Sequence, residues 1–158
     1  MNNEKFENTT IDEDTELSLN LFIVFARSYR EIAELVRRDI QNYNLNPTEF
    51  GVLELLYHKG PQPLQHIGKR ILLASGSITY VVDKLEEKGL LNRKNCLKDR
   101  RVIYAEISEQ GKRLMEEIFP KHREALKKIF SGIDVEEKRL AIALLKKIGF
   151  YANNLDSQ

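Results

Sequence analysis

A mainly α-helical fold with one small β-hairpin is what this 158-residue sequence predicts. Three observations predict it. Apolar residues recur every three or four positions over long stretches near both ends of the chain. Two shorter helix-like segments follow one another between Leu64 and Gly89. Leu90–Lys94 and Val102–Ile107 read as strands, the second alternating as strands do, and the seven residues Asn95 to Arg101 lie between them.

Residues 1–13 are polar and are expected to be flexible. A long helix follows, from about Asp14 to Tyr43, striped by Phe22, Phe25, Tyr29, Ile32, Val36, Ile40 and Tyr43. Asn46-Pro47-Thr48-Glu49 carries a cap, a first-turn proline and a capping-box acid, so a second helix opens there. Phe50, Val52, Leu53, Leu55 and Leu56 bury it, and Lys59-Gly60-Pro61 stops it. Leu64 to Ile71 forms a short third helix with Leu64, Ile67 and Ile71 inward. Leu72-Leu73-Ala74 makes a turn, Ser75 caps a fourth helix, and Gly89 ends it. Strands are expected over Leu90–Lys94 and Val102–Ile107. Ser108 caps a helix to about Phe130, with a kink or break expected at Pro120. Asp134 and Glu137 open a last helix to about Asn153, striped by Leu140, Ala143, Leu144, Ile148 and Tyr151.

Charge is distributed unevenly although the net is only +1. Residues 1–20 hold six acids against Lys5, a net of −5. Residues 61–105 hold nine bases against Asp83, Glu86, Glu87 and Asp99, a net of +5. A basic helix pair with a basic hairpin suits a polyanion. The fourth helix has an apolar back of Ile78, Val81, Val82 and Leu85. Its front is small, polar and rich in hydroxyls, which suits the major groove of double-stranded DNA.

Ser75, Gly76, Ser77, Thr79, Tyr80 and Lys84 are therefore the expected reading residues, and Asp99, Arg100 and Arg101 the expected tip of the hairpin. Arg93, Lys94 and Lys98 are expected to neutralise phosphates. The long amphipathic helices at the two ends cannot hide their apolar surface on so small a head. Packing onto a second copy solves this, and a two-fold dimer matches paired half-sites on DNA.

These residues carry a family resemblance. Gly76-Ser77-Ile78-Thr79, Leu85-Glu86-Glu87-Lys88-Gly89-Leu90, Arg93, Asp99-Arg100-Arg101 and Ser108-Glu109-Gln110-Gly111 together resemble the winged helix-turn-helix of MarR-family transcriptional regulators. The stretch Ile67-Gly68-Lys69-Arg70-Ile71-Leu72-Leu73 is similar to the quinone-responsive branch of that family. The resemblance implies a DNA-binding lobe over 46–107 and a helical dimerisation lobe over 14–45 and 108–155. It implies a homodimeric repressor on a pseudo-palindromic operator, with recognition helices in major grooves and wings in minor grooves. It implies that Asp99 pairs with an arginine to hold the wing. It further implies a pocket for a small phenolic or quinone-like effector between the lobes, for which Phe22, Phe25, Arg27, Tyr57 and His58 are the candidates.

Two other readings remain open from the residues. Cys96, the one cysteine, lies among Arg93, Lys94 and Lys98, so a thiol-based redox sensor is an alternative. The same scaffold could also dock a protein. An enzyme is not expected, since the eight glycines form no Gly-x-Gly cradle. His58, His66 and His122 lack metal-ligand spacing, so no metal or cofactor is expected. No apolar run approaches the roughly 20 residues of a membrane span, and the acidic start offers no signal core. A cytoplasmic protein with no membrane partner is the expectation.

Overall fold

The computed structural model describes residues 11–71, 78–97, 99 and 101–155. Among them are six helices: α1 (Glu13–Gln41), α2 (Pro47–Lys59), α3 (Leu64–Arg70), α4 (Ile78–Glu87), α5 (Glu109–Ile129) and α6 (Val135–Leu155). Three strands, β1 (Gln62–Pro63), β2 (Leu91–Asn95) and β3 (Ile103–Ile107), form an antiparallel sheet in the order β1-β3-β2. The mainly α winged helix-turn-helix expected from the sequence is what forms.

Local capping explains where the helices start. Asp12 accepts from the Thr15 N–H, which starts α1 one residue before the expected Asp14. Asn46 and Glu49 exchange hydrogen bonds with each other's backbone N–H as a full capping box. Asp134 and Glu137 do the same at the start of α6. The Ser108 hydroxyl donates to the Gly89 carbonyl at 2.6 Å and accepts from the Gly111 N–H at 3.0 Å. Gly89 has φ +71°, a conformation that suits glycine at the end of α4. At Gly111 a Cβ would stand 2.1 Å from the Leu90 carbonyl oxygen, so only glycine lets α5 start this close to β2.

Two expectations change. Helix α5 runs through Pro120 without the expected break. Pro120 lies on the exposed face, and buried Ile118 and His122 hold the helix on either side of the missing hydrogen bond. Strand β1 gave no sequence signal, because two residues show no period. It pairs Gln62 with Ala105 and Pro63 with Tyr104 as an edge, where a proline is tolerated.

The core sits in the head. Val52, Leu53, Ile67, Val82, Leu85, Leu91, Ala105 and Met115 are wholly buried there. Helix α1 reaches this core through its C-terminal part, where Ile40 is buried and Val36 packs against it. At that junction His122 Nδ1 lies 2.6 Å from Asp39 Oδ2, and the His122 ring lies against Phe50 with centroids 4.6 Å apart. The Tyr43 hydroxyl donates to the other Asp39 oxygen at 3.2 Å.

Candidate nucleic-acid interface

Helix α4 is built as the sequence suggests. Val81, Val82 and Leu85 are buried and Ile78 is half-buried, packed on the core. Thr79 and Tyr80 are exposed on the opposite face. Lys84 pairs with Glu87 at 2.7 Å, which holds its ammonium above the usual lysine range. The same ammonium lies 5.7 Å from the centre of the Tyr80 ring. Ser75, Gly76 and Ser77, together with the expected turn Leu72-Leu73-Ala74, lie outside the described residues.

The wing is a two-stranded ribbon pairing Leu91 with Ile107 through Asn95 with Ile103. At its tip Asp99 accepts from the Arg101 backbone N–H at 3.0 Å, and from Arg101 Nε and Nη2 at 3.1 Å each. These bonds hold the Asp99 carboxyl below the usual range. The pairing implied by the resemblance is therefore present, and the Arg101 side chain is 90% exposed. Lys98 and Arg100 lie outside the described residues. Cys96 is half-buried at the end of β2, and its N–H donates to the Val102 carbonyl at 3.0 Å.

Arg93 turns inward, contrary to its expected role as a free phosphate neutraliser. Its guanidinium bridges Asp83 and Glu86, and its backbone N–H donates to Glu86 at 3.2 Å. The Asp83 carboxylate, then Glu86, raise its pKa further. The reason is electrostatic: two acids three residues apart on α4 would repel a phosphate, and Arg93 cancels them while tying wing to helix. That spacing was the overlooked signal. Lys94 is likewise paired, with Glu106. A second tie also escaped sequence reasoning. Lys88 donates to Glu49 at 2.9 Å and to the Asn44 carbonyl at 3.1 Å, joining the end of α4 to the α1–α2 corner. Glu49 is buried there, so its charge is balanced in place.

The candidate effector residues do not all come together. A groove of about 570 Å³ lies between α1, α2 and α3, lined by Tyr29, Glu54, Leu55, His58, Arg70 and Ile71. His58 lines it. Tyr57 instead faces a separate groove beside Pro61, Ile107 and Lys112. Phe22, Phe25 and Arg27 stand exposed on the outer part of α1. Among the described residues there is no group of metal-ligating side chains, and no helix is long and apolar enough to cross a membrane.

This geometry has known counterparts. The MarR family model matches residues 45–103, which run from the α1–α2 corner to the start of β3. The HTH-type transcriptional regulator MhqR of Bacillus subtilis is 52% identical over 144 residues, covering 91% of this chain and 99% of that protein. The chain belongs to the MarR family. It is a DNA-binding transcriptional regulator, as its relatives are, and not an enzyme. A MarR family regulator from Streptomyces coelicolor, solved in complex with DNA, shares the fold with a TM-score of 0.76 at 16% identity, over 88% of this chain and 91% of that one. The organohalide-sensing regulator RdhR, in its 2,4-dichlorophenol-bound form, shares it with a TM-score of 0.77 at 19% identity, over 96% and 91%.

Proposed function

We propose that this MarR-family regulator is a homodimeric repressor of a short pseudo-palindromic operator, released by a small phenol- or quinone-like effector. One observation carries the dimer and the operator symmetry. Phe22, Phe25, Leu140, Leu144, Phe150 and Tyr151 are each half or more exposed in the single chain. So much apolar helix is stable in water only when covered, and a closed two-fold pair is the commonest cover. Phe22 and Phe25 then belong to the seam between copies.

Each head reads one half-site. Thr79, Tyr80 and Lys84 meet base edges and phosphates, together with Ser75, Gly76 and Ser77, which precede them in sequence. Arg101, held by Asp99, enters the flanking minor groove, and its sequence neighbours Lys98 and Arg100 add positive charge. The groove of Tyr29, His58 and Arg70 offers an apolar floor with cationic and hydroxyl groups at its rim, a match for an ionisable aromatic ring. The dichlorophenol bound by the RdhR neighbour supports that ligand class. An occupant there would change the angle between α1 and the head, and so the spacing of paired heads.

The test is a gel-shift on genomic fragments, with stoichiometry from sedimentation, followed by addition of 2,4-dichlorophenol and of methylhydroquinone. Two chains per site and release by at least one compound are expected. One chain per site would overturn the dimer. Binding indifferent to both compounds would overturn the effector class.

A further inference from the structure

We infer that Leu97 is a DNA-contacting residue, whose side chain packs on the deoxyribose wall of the minor groove beside Arg101 and gives the wing an apolar grip. The inference rests on the wing reading proposed above.

The ribbon's register places it. The last ladder pair is Asn95 with Ile103. The 3.0 Å bond from the Cys96 N–H to the Val102 carbonyl carries the pairing one step further. The ladder ends there, because the Val102 N–H donates to the Asp99 carbonyl at 3.0 Å, and Leu97 and Arg101 flank the tip that this turn closes. The tip thus carries one large apolar side chain, Leu97, on one arm and the Arg101 guanidinium on the other, just past the last ladder pair.

Leu97 is fully exposed, at 103%, and Ile103 is 37% exposed. A lone exposed leucine on an ordinary surface means little. This one stands at the tip of a basic ribbon, across the turn from an arginine whose guanidinium is fixed by Asp99. The cation draws the tip between phosphates. The apolar surface available there is the sugar wall, and apolar side chains are common partners of the minor groove. The two grips differ in kind. That of Arg101 releases counterions and weakens with salt, whereas that of Leu97 does not.

The test is a salt series of operator binding for Leu97→Ala, Leu97→Met and Arg101→Ala. Leu97→Ala should bind about tenfold more weakly at every salt concentration, with an unchanged slope, because a few apolar carbons per wing lose their cover. Leu97→Met should bind as wild type. Arg101→Ala should weaken binding and lower the slope by about 0.9 for each phosphate that is no longer neutralised. Because Leu97 is fully exposed, the thermal midpoint of the free protein should not move in either Leu97 variant. Wild-type affinity in Leu97→Ala, or a changed salt slope, overturns the inference. If Arg101→Ala is silent as well, the wing reading itself falls.

Discussion

In the head, α2, α4 and the sheet bury Val52, Leu53, Leu85, Leu91 and Ala105 completely, whereas α6 buries none of its residues and α1 only Ile40. Both regions are rich in apolar side chains, and both form regular helices. The difference lies in where the covering surface comes from. The head closes its core with short connections and a three-stranded sheet from one chain. The terminal helices are too long to lie on that head, so their stripes face solvent in the single chain, and the proposed second copy would cover them. Substitutions in the two regions should therefore report on different equilibria: folding in one, association in the other.

The largest effect should come from the head. Leu85 is wholly buried between α4 and the core. Leu85→Ala should cost about 3 kcal/mol of unfolding free energy, the usual loss for an emptied leucine site. Urea titration followed by far-UV circular dichroism measures this. The folded fraction of the variant should show the wild-type ratio of monomer to dimer. A loss under about 1 kcal/mol, well below that usual range, would mean that the head is less self-contained than its burial implies.

Next in size is the terminal region. Leu144 and Ile148 are each about half exposed on α6. Leu144→Asp with Ile148→Asp should raise the dimer dissociation constant by on the order of 100-fold, because four carboxylates would enter one apolar seam. Sedimentation velocity reads this directly. Operator affinity should fall with it, while the helical content of the head is kept. A variant that stays dimeric would move the seam off α6 and erase the contrast between the two regions.

The same contrast explains what the sequence could reveal. Helix periods and the caps at Asn46, Ser108 and Asp134 are local features, encoded within a few residues, and they were legible, whereas a pairing of Asp99 with an arginine was implied only by the family resemblance. Ties across long sequence separations were not. His122 with Asp39 and Lys88 with Glu49 join residues far apart in the chain, and each looks like ordinary helix-surface charge until the helices pack. The effector candidates suffered similarly. The stripe on α1 is one pattern in sequence, but its C-terminal part enters the core while Phe22 and Phe25 stay outside. Periodicity identifies an apolar face and does not say which part of it the fold covers.

The smallest effect should come from the point where α1 leaves the core. Glu34 accepts from Arg37 at 2.7 and 2.8 Å and from Arg38 at 2.8 Å, all within a single turn. These hydrogen bonds, those of Arg37 first, hold its carboxyl down at about 2, against an ordinary glutamate value of 4.5. A depressed carboxylate contributes stability that is fully present above its unfolded pKa and is lost as pH falls through the folded one. The contribution should thus be constant at neutral pH and disappear between 4.5 and about 2. Because the group is exposed, its share is small and weakened by salt. Glu34→Gln should lower the thermal midpoint slightly at neutral pH and low ionic strength, and the gap should close as the pH is brought to about 2. A gap that persists in acid would show that the glutamate acts by packing. It would also undo the idea that α1, beyond the reach of the core, is held helical by charges on neighbouring turns.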